Sequence, residues 1–293
     1  MTDDLERLLR WEQAGATWEA IWPRAGEVTI VLCTCDSGEE VDRYTSAAPD
    51  LPTTCGTRAA PSGDNRLPTP SAPLDDGPMT LIDVWPLFGL VIRTPRLELR
   101  LPTDDELTRL AQVAADGVHE PTERPFLTPW AEQPPLDRAR HVLRSAWSSR
   151  GEWQPGDWSL GLTVFVEADP IGMVWVSATE FAERREVSTA SWLGLPHHRR
   201  GFGTEARLGA LTLAFDHLGA AYATSEAFPD NAASVGVSTK LGYEPDGISR
   251  DVRDGEVLVS HRLRLGRERW ERNDRSGIEV SGVEPCLSWF GVA

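Results

Sequence analysis

The stretch Ser191-Trp192-Leu193-Gly194-Leu195-Pro196-His197-His198-Arg199-Arg200-Gly201-Phe202-Gly203-Thr204-Glu205-Ala206 decides how the chain is read. Its first residues have strand character, its middle is a basic turn bearing two glycines, and its end opens a helical pattern. In that pattern Leu208, Leu211, Phe215 and Leu218 recur on one face, so the helix should pack on a sheet with its N-terminus at the strand's edge. Glycines let a backbone come close to an anion, and a helix N-terminus offers unpaired N–H groups and a positive dipole. Strand, basic glycine turn and helix in that order are expected to make a pyrophosphate cradle.

Working outward, strands and helices alternate from Leu90 onward. Leu90–Arg100 contains a strand in which Leu97 and Leu99 alternate with charged residues, and Asp104–Ala115 has a capping-type start with Leu107, Leu110 and Val113 at helical spacing. A second helix is expected near Leu136–Ser149. Trp158–Glu167 and Pro170–Thr179 read as a hairpin turning at Ala168-Asp169, and Val187–Leu195 as the next strand. Helices follow at Gly203–Leu218 and Asn231–Leu241 around a strand at Ala221–Ala227, and strands at Tyr243–Arg253 and Glu256–Leu265 close the domain.

Three segments then fall in one order: Arg-Arg-Gly-Phe-Gly-Thr at 199–204, Asp-Asn-Ala-Ala-Ser at 230–234 and Lys-Leu-Gly-Tyr at 240–243. Together they resemble the GNAT acetyltransferases of the RimJ/RimL-type group, over roughly Leu90–Leu265. Thr94-Pro95-Arg96-Leu97-Glu98-Leu99-Arg100 is similar to that group's first strand. The resemblance implies an α/β (α+β) fold: a mixed, largely antiparallel central sheet that splays apart, flanked by helices, with acetyl-CoA in the gap as co-substrate. It implies that backbone groups of Leu193 and Leu195 bind the pantetheine arm and that amides of Arg199, Arg200, Gly201, Phe202, Gly203 and Thr204 hold the pyrophosphate. His198 stands where the family usually has Gln or Arg, three residues before the first glycine; because the contact is mostly through backbone, cofactor binding is expected to survive.

Acetyl transfer to an amine requires a neutral nucleophile, a donor for the oxyanion and a proton for the departing thiolate. A backbone amide near Leu193 is the simplest oxyanion donor. The resemblance places Asn231, Ser234 and Tyr243 near the sulfur. Ser234 is the first candidate for the acid, with Asn231 orienting substrate, cofactor or a water. Each has a structural alternative: Asn231 is a natural N-cap, Ser234 can bond its own backbone, and Tyr243 can be a core aromatic. For the base, Ser191, Glu186 and Glu180 are the candidates. The Pro-rich segment Asp116–Leu136, with Phe126 and Trp130, should shape the acceptor pocket, and Trp85, Trp147, Trp153 and Trp158 add aromatic surface.

Twenty-nine basic against 45 acidic residues give a net charge of −16, which argues against a nucleic-acid partner. No apolar run is long enough to span a membrane, and the acidic start Met1-Thr2-Asp3-Asp4-Leu5-Glu6 is unlike a signal peptide, so a cytoplasmic location and no membrane partner are expected. Cys33, Cys35, Cys55 and Cys286 lack the paired spacing of a zinc site, so no metal is expected.

Residues 1–48 read as a small separate α/β module: a helix at Asp3–Gln13, strands at Thr17–Trp22 and Val28–Cys35, and a short helix within Gly38–Arg43. Residues 49–78, rich in Pro, Thr, Ser, Gly and Asp, read as a flexible linker. Residues 79–265 form the GNAT-like domain in this reading, with Met79–Trp85 opening like a separate gene product that became fused. The tail, 266–293, has an apolar end that docks either on that domain or on a second subunit, so a homodimer is a candidate assembly.

The functional expectation is an acetyl-CoA-dependent N-acetyltransferase acting on a primary amine of a small molecule or protein N-terminus. The competing expectation is a non-catalytic acyl-CoA-binding or sensing module that works through a protein partner.

Overall fold

The computed structural model describes the backbone of residues 17–24, 27–33 and 40–46, then residue 67, residues 78–253 and residues 255–292. The chain divides into two compact units, Met1–Arg66 and Leu67–Ala293. In the first, β1 (Thr17–Arg24), β2 (Glu27–Cys33) and β3 (Glu40–Ser46) form an antiparallel sheet in the order β1-β2-β3. The short helix expected within Gly38–Arg43 is instead the start of β3. Val41, Tyr44 and Thr45 favour an extended chain, and the open edge of β2 supplies its ladder partners. The expected helix at Asp3–Gln13 and almost all of the expected linker lie outside the described residues.

The second unit is built on a nine-stranded sheet in the order β10-β11-β9-β8-β7-β6-β5-β4-β12. Its strands are β4 (Val91–Arg93), β5 (Glu98–Arg100), β6 (Trp158–Val166), β7 (Asp169–Ala178), β8 (Glu186–Leu193), β9 (Tyr222–Ala227), β10 (Glu244–Arg253), β11 (Glu256–Gly266) and β12 (Glu279–Ser281). The single strand expected within Leu90–Arg100 is a hairpin of two. Pro95 cannot donate to a ladder, and the chain turns there, with Thr94 N–H on the Leu97 carbonyl.

Helix α1 (Asp104–Asp116) starts with a capping box: the Glu106 N–H donates to the Thr103 hydroxyl, and the Thr103 N–H donates back to the Glu106 carboxylate. It packs with α2 (Pro135–Gly151) on one face of the sheet, burying Leu107, Leu110, Ala114, Val142 and Ala146 against Met173 and Trp192. The other face carries α3 (Phe202–Thr212), which buries Phe202, Ala206, Ala210 and Leu211 against Val174, Val176 and Leu193. Strand alternation produces the division, since Met173 points to one layer and Val174 to the other. A wider π turn, Leu213–His217, extends α3. Helix α4 (Ala232–Lys240) follows β9.

Every pairing in this sheet is antiparallel except β8 with β9, which the α3 crossover makes parallel. That pairing covers only Glu186–Ser188 against Tyr222–Thr224. Beyond it β8 stays with β7 as far as Leu193, while β9 stays with β11 as far as Ala227, so the two halves of the sheet open into a cleft.

The C-terminal tail docks on this same unit. Residues Glu279–Ser281 add β12 beside β4, and a 3-10 turn at Glu284–Phe290 buries Cys286, Trp289 and Phe290. The indole N–H groups of Trp153 and Trp158 donate to the Trp289 and Phe290 carbonyls at 3.0 and 3.1 Å.

Candidate active site

The cleft between β8 and β9 has two ends. At the C-terminal end of β8 the turn His198–Gly201 leads into α3. Arg199 and Gly201 both have positive φ, +57° and +82°, which curls the backbone of this turn. Glycine adopts that conformation freely; at Arg199 it is a strained choice. The curl is braced from the β4–β5 hairpin. Glu205, in the first turn of α3, accepts from the Thr94 hydroxyl (2.6 Å), the Arg96 N–H (2.9 Å) and Arg96 Nε (2.7 Å), and Arg96 also donates to the Arg200 carbonyl. The guanidinium groups of Arg96 and Arg200 both lie over the Phe202 ring. Beside the curl is a cavity of ≈ 390 Å³ lined by Gly201, Thr204, Leu208 and Lys240, the only lysine in the sequence.

Backbone groups alternate in direction along a strand. Gly194 N–H donates to Ile171 at the β7 side, so the groups of Leu193 and Ser191 face the cleft. The Leu193 carbonyl accepts from His198 Nε2 at 2.9 Å, so the residue that replaces the family's Gln or Arg ties the turn back to its own strand. Leu195 is engaged elsewhere: its N–H donates to the Gly117 carbonyl and its carbonyl accepts from the His198 N–H. Of the two leucines expected to hold the pantetheine arm, Leu193 alone presents its amide to the cleft.

Deeper in the cleft the sequence reading missed a residue. Arg207 is 3% exposed and donates to Ser191 Oγ at 3.0 Å and to Ser238 Oγ at 3.1 Å, while its Nε has no partner. Burial lowers its pKa, and the nearby Tyr243 opposes that effect. The signal was a lone arginine on the helical face shared by Gly203, Ala210 and Ala214. A serine oxygen already accepting from a guanidinium is a poor proton acceptor, so Ser191 does not fit the role of base; its own hydroxyl hydrogen is left to donate.

Tyr243 is buried, with its hydroxyl 3.2 Å from Thr189 Oγ1, and burial pushes the phenol pKa up, so it stays protonated. Asn231 Oδ1 accepts from the Ser234 N–H at 3.1 Å as the cap of α4, which is the structural alternative weighed for it. The Ser234 side chain is half-buried in the first turn of that helix. Glu186 pairs with Arg264 at 2.9 Å, and Glu180 is exposed at the turn before Phe181, so neither carboxylate stands ready as a base.

On the α1–α2 face, at the same edge of β8, lies a cavity of ≈ 170 Å³ lined by Phe126, Trp130, His141, Ser145, Trp175 and Trp192, with Ser191 also contributing to its wall. Phe126 and Trp130 come from the segment expected to shape an acceptor pocket; the other tryptophans differ from those expected. Trp153 and Trp158 stack on each other beneath Phe290, Trp85 packs edge-on against Trp289, and Trp147 is exposed.

A family model of the acetyltransferase (GNAT) domain matches residues 96–244, just over half of the chain, from the brace at Arg96 to the end of α4 and Tyr243. The chain belongs to the GNAT acetyltransferase family. Solved structures similar to it include RimJ of Mycobacterium smegmatis in complex with CoA-disulfide (14% identity, 69% of this chain and 94% of that one, TM-score 0.49). Others are the ribosomal L7/L12 alpha-N-protein acetyltransferase RimL in complex with coenzyme A (14%, 60% and 97%, 0.49) and the microcin C7 self-immunity acetyltransferase MccE with acetyl-CoA and AMP (14%, 59% and 93%, 0.46). As a GNAT acetyltransferase the protein is an acyl-transfer enzyme. Among the described residues no group of His, Cys, Asp and Glu is arranged to hold a metal, and no helix is long and apolar enough to cross a membrane.

Proposed function

We propose that this acetyltransferase moves an acetyl group from acetyl-CoA directly to a primary amine of a small molecule or protein N-terminus. The observation that carries the reading is the cleft itself: three parallel rungs between β8 and β9, then divergence, with a braced anion-binding curl at its end. The fit to CoA rests on that curl and on chemistry. Amides of Arg199–Thr204 at the N-terminus of α3 suit a pyrophosphate, and Lys240 beside them suits a further phosphate. Bound there, acetyl-CoA supplies the activated acyl group.

The chain's own groups then have distinct tasks. The Leu193 N–H, facing the cleft, donates to the carbonyl oxygen as it gains charge. Ser191, held by Arg207, offers a second donor. As the amine nitrogen forms its bond to the acyl carbon, the C–S bond breaks and its electron pair leaves on sulfur. The Ser234 hydroxyl assists the thiolate, which takes up the proton released by the nitrogen.

Titration calorimetry of the full chain with acetyl-CoA, and with free CoA in parallel, tests the reading. Saturable one-site binding is expected. No binding of either ligand would overturn it.

A further inference from the structure

The cavity on the α1–α2 face has a chemistry of its own. Three of its walls are indoles, Trp130, Trp175 and Trp192, and a fourth is Phe126. Flat walls of this kind favour a flat or compact apolar ring. The volume of ≈ 170 Å³ is close to that of an engineered protein cavity of about 150 Å³ that binds benzene, so it takes one six-membered ring and little more. The segment carrying Phe126 and Trp130 is held in place by buried Arg253, which donates to the Phe126 carbonyl at 2.8 Å and pairs with Glu132.

Among the lining residues His141 is the one side chain that titrates near neutral pH. Its ring stacks on Trp130 with centroids 4.8 Å apart at 11°, and Nε2 lies 3.3 Å from Ser145 Oγ, a long contact that a substrate ammonium can replace. On its own helix the charged neighbours are Arg144, one turn on, Arg138, one turn before, which donates to the Ala115 and Ala131 carbonyls, and Asp137, which pairs with Arg140. From the facing loop the charged groups are Glu132, with Arg124 and Arg253, and His119 beside Phe126. From β7 and β8 the cavity is lined by Trp175, Ala190, Ser191 and Trp192, none of which titrates in this range. Burial and Arg144 both lower the His141 pKa, so the ring is neutral at pH 7 and able to accept a proton.

We propose that this cavity holds the ring of a small-molecule acceptor, a primary amine on a short chain from a six-membered ring, and that His141 is the base that deprotonates its ammonium. The inference rests on the acetyl-transfer reading above. His141 takes the ammonium proton directly or through one water, and the freed lone pair forms the C–N bond at the acyl carbon. The C–S pair departs on the CoA thiolate, and the proton passes from His141 to that thiolate or to solvent. Ser191 links the two sites, lining the cavity while bonded to Arg207 in the cleft. The net charge of −16 favours the approach of a cationic amine.

The test uses the full chain, acetyl-CoA and chromatographic detection of CoA and acetylamine. The acceptors are 2-phenylethylamine, cyclohexylmethylamine, spermidine and a phenylalanine-initiated peptide. Ring amines are expected to exceed spermidine in kcat/KM by about tenfold or more. Trp130→Ala is expected to raise KM for 2-phenylethylamine with acetyl-CoA affinity kept. His141→Gln is expected to lower kcat by about 10²-fold, to remove the acidic limb of the pH–rate profile, and to be partly rescued by added imidazole. Preference for spermidine or the peptide would overturn the acceptor assignment, and an unchanged acidic limb in His141→Gln would overturn the assignment of the base. Wild-type protein that binds acetyl-CoA in the calorimeter yet acetylates no ring amine refutes this inference alone; failure to bind acetyl-CoA refutes the reading beneath it.

Discussion

Replacing Arg207 with Met separates what the buried guanidinium does for stability from what it does for catalysis. In the folded protein Arg207 makes two charge-assisted hydrogen bonds, to Ser191 and Ser238, together contributing about 3–6 kcal/mol. Against this stand the several kcal/mol of removing a cation from water and about 1–3 kcal/mol for its unpartnered Nε. The two sides nearly cancel, and Met fills most of the same volume. Arg207→Met should therefore change stability by about 1 kcal/mol in either direction, or a Tm shift of about 2–4 °C. The rate should respond far more. Losing an oxyanion donor outright costs about 10²–10³ in kcat; here the Ser191 hydroxyl remains but loses the group that orients it, so a fall of about 10–100-fold is expected. Arg207→Lys should be intermediate, because an ammonium keeps the charge but cannot bridge both serines as a planar fork does. The assay pairs calorimetric Tm with kcat at saturating acetyl-CoA. A Tm loss above about 10 °C would make Arg207 a structural residue, and unchanged kcat with unchanged Tm would remove the Ser191 donor from the mechanism.

Two further outcomes follow from packing and charge. Phe290 is fully buried against Trp153 and Trp158, so Phe290→Ala should cost about 3–5 kcal/mol, visible as a lower denaturation midpoint in urea; an unchanged midpoint would mean the tail does not hold the domain together. Glu106, hydrogen-bonded by Arg100, has its carboxyl held at about 2, below its unfolded value. A group depressed on folding stabilises above its unfolded pKa and loses that contribution as pH falls through the folded one, so its share should fade between about pH 5 and pH 2. Glu106→Gln should flatten the stability profile in that window, and an identical profile would refute the assignment.

Much of the fold was legible because its cues are local. The capping-type start of the Asp104 helix, the helical spacing after Gly203 and the hairpin turn at Ala168-Asp169 each act within a few residues, and the elements appear where those cues lie. The elements misread were those a partner decides. Pro95 splits one expected strand into a hairpin, and β12, arriving from the far end of the chain, gives β4 its second neighbour. Gly38–Arg43 starts a strand because β2 offers an edge. Within the site, the glycine turn was found because anion binding by backbone has a local sequence signature. Arg207, His141 and Ser238 were not, because a polar residue on an apolar helical face carries no label of what it will meet.

By itself, the sequence determined most of the strands and helices between Asp104 and Leu265, the basic glycine turn and the family, since backbone preferences and short motifs are encoded between near neighbours. Tertiary structure alone decided that β8 and β9 share only three rungs before parting, and that Arg207 lies between Ser191 and Ser238. It also set His141 against Trp130 and brought the tail onto Trp153 and Trp158. These contacts join residues far apart in the chain, and which of them meet is settled only when the competing demands of burial and hydrogen bonding are satisfied together.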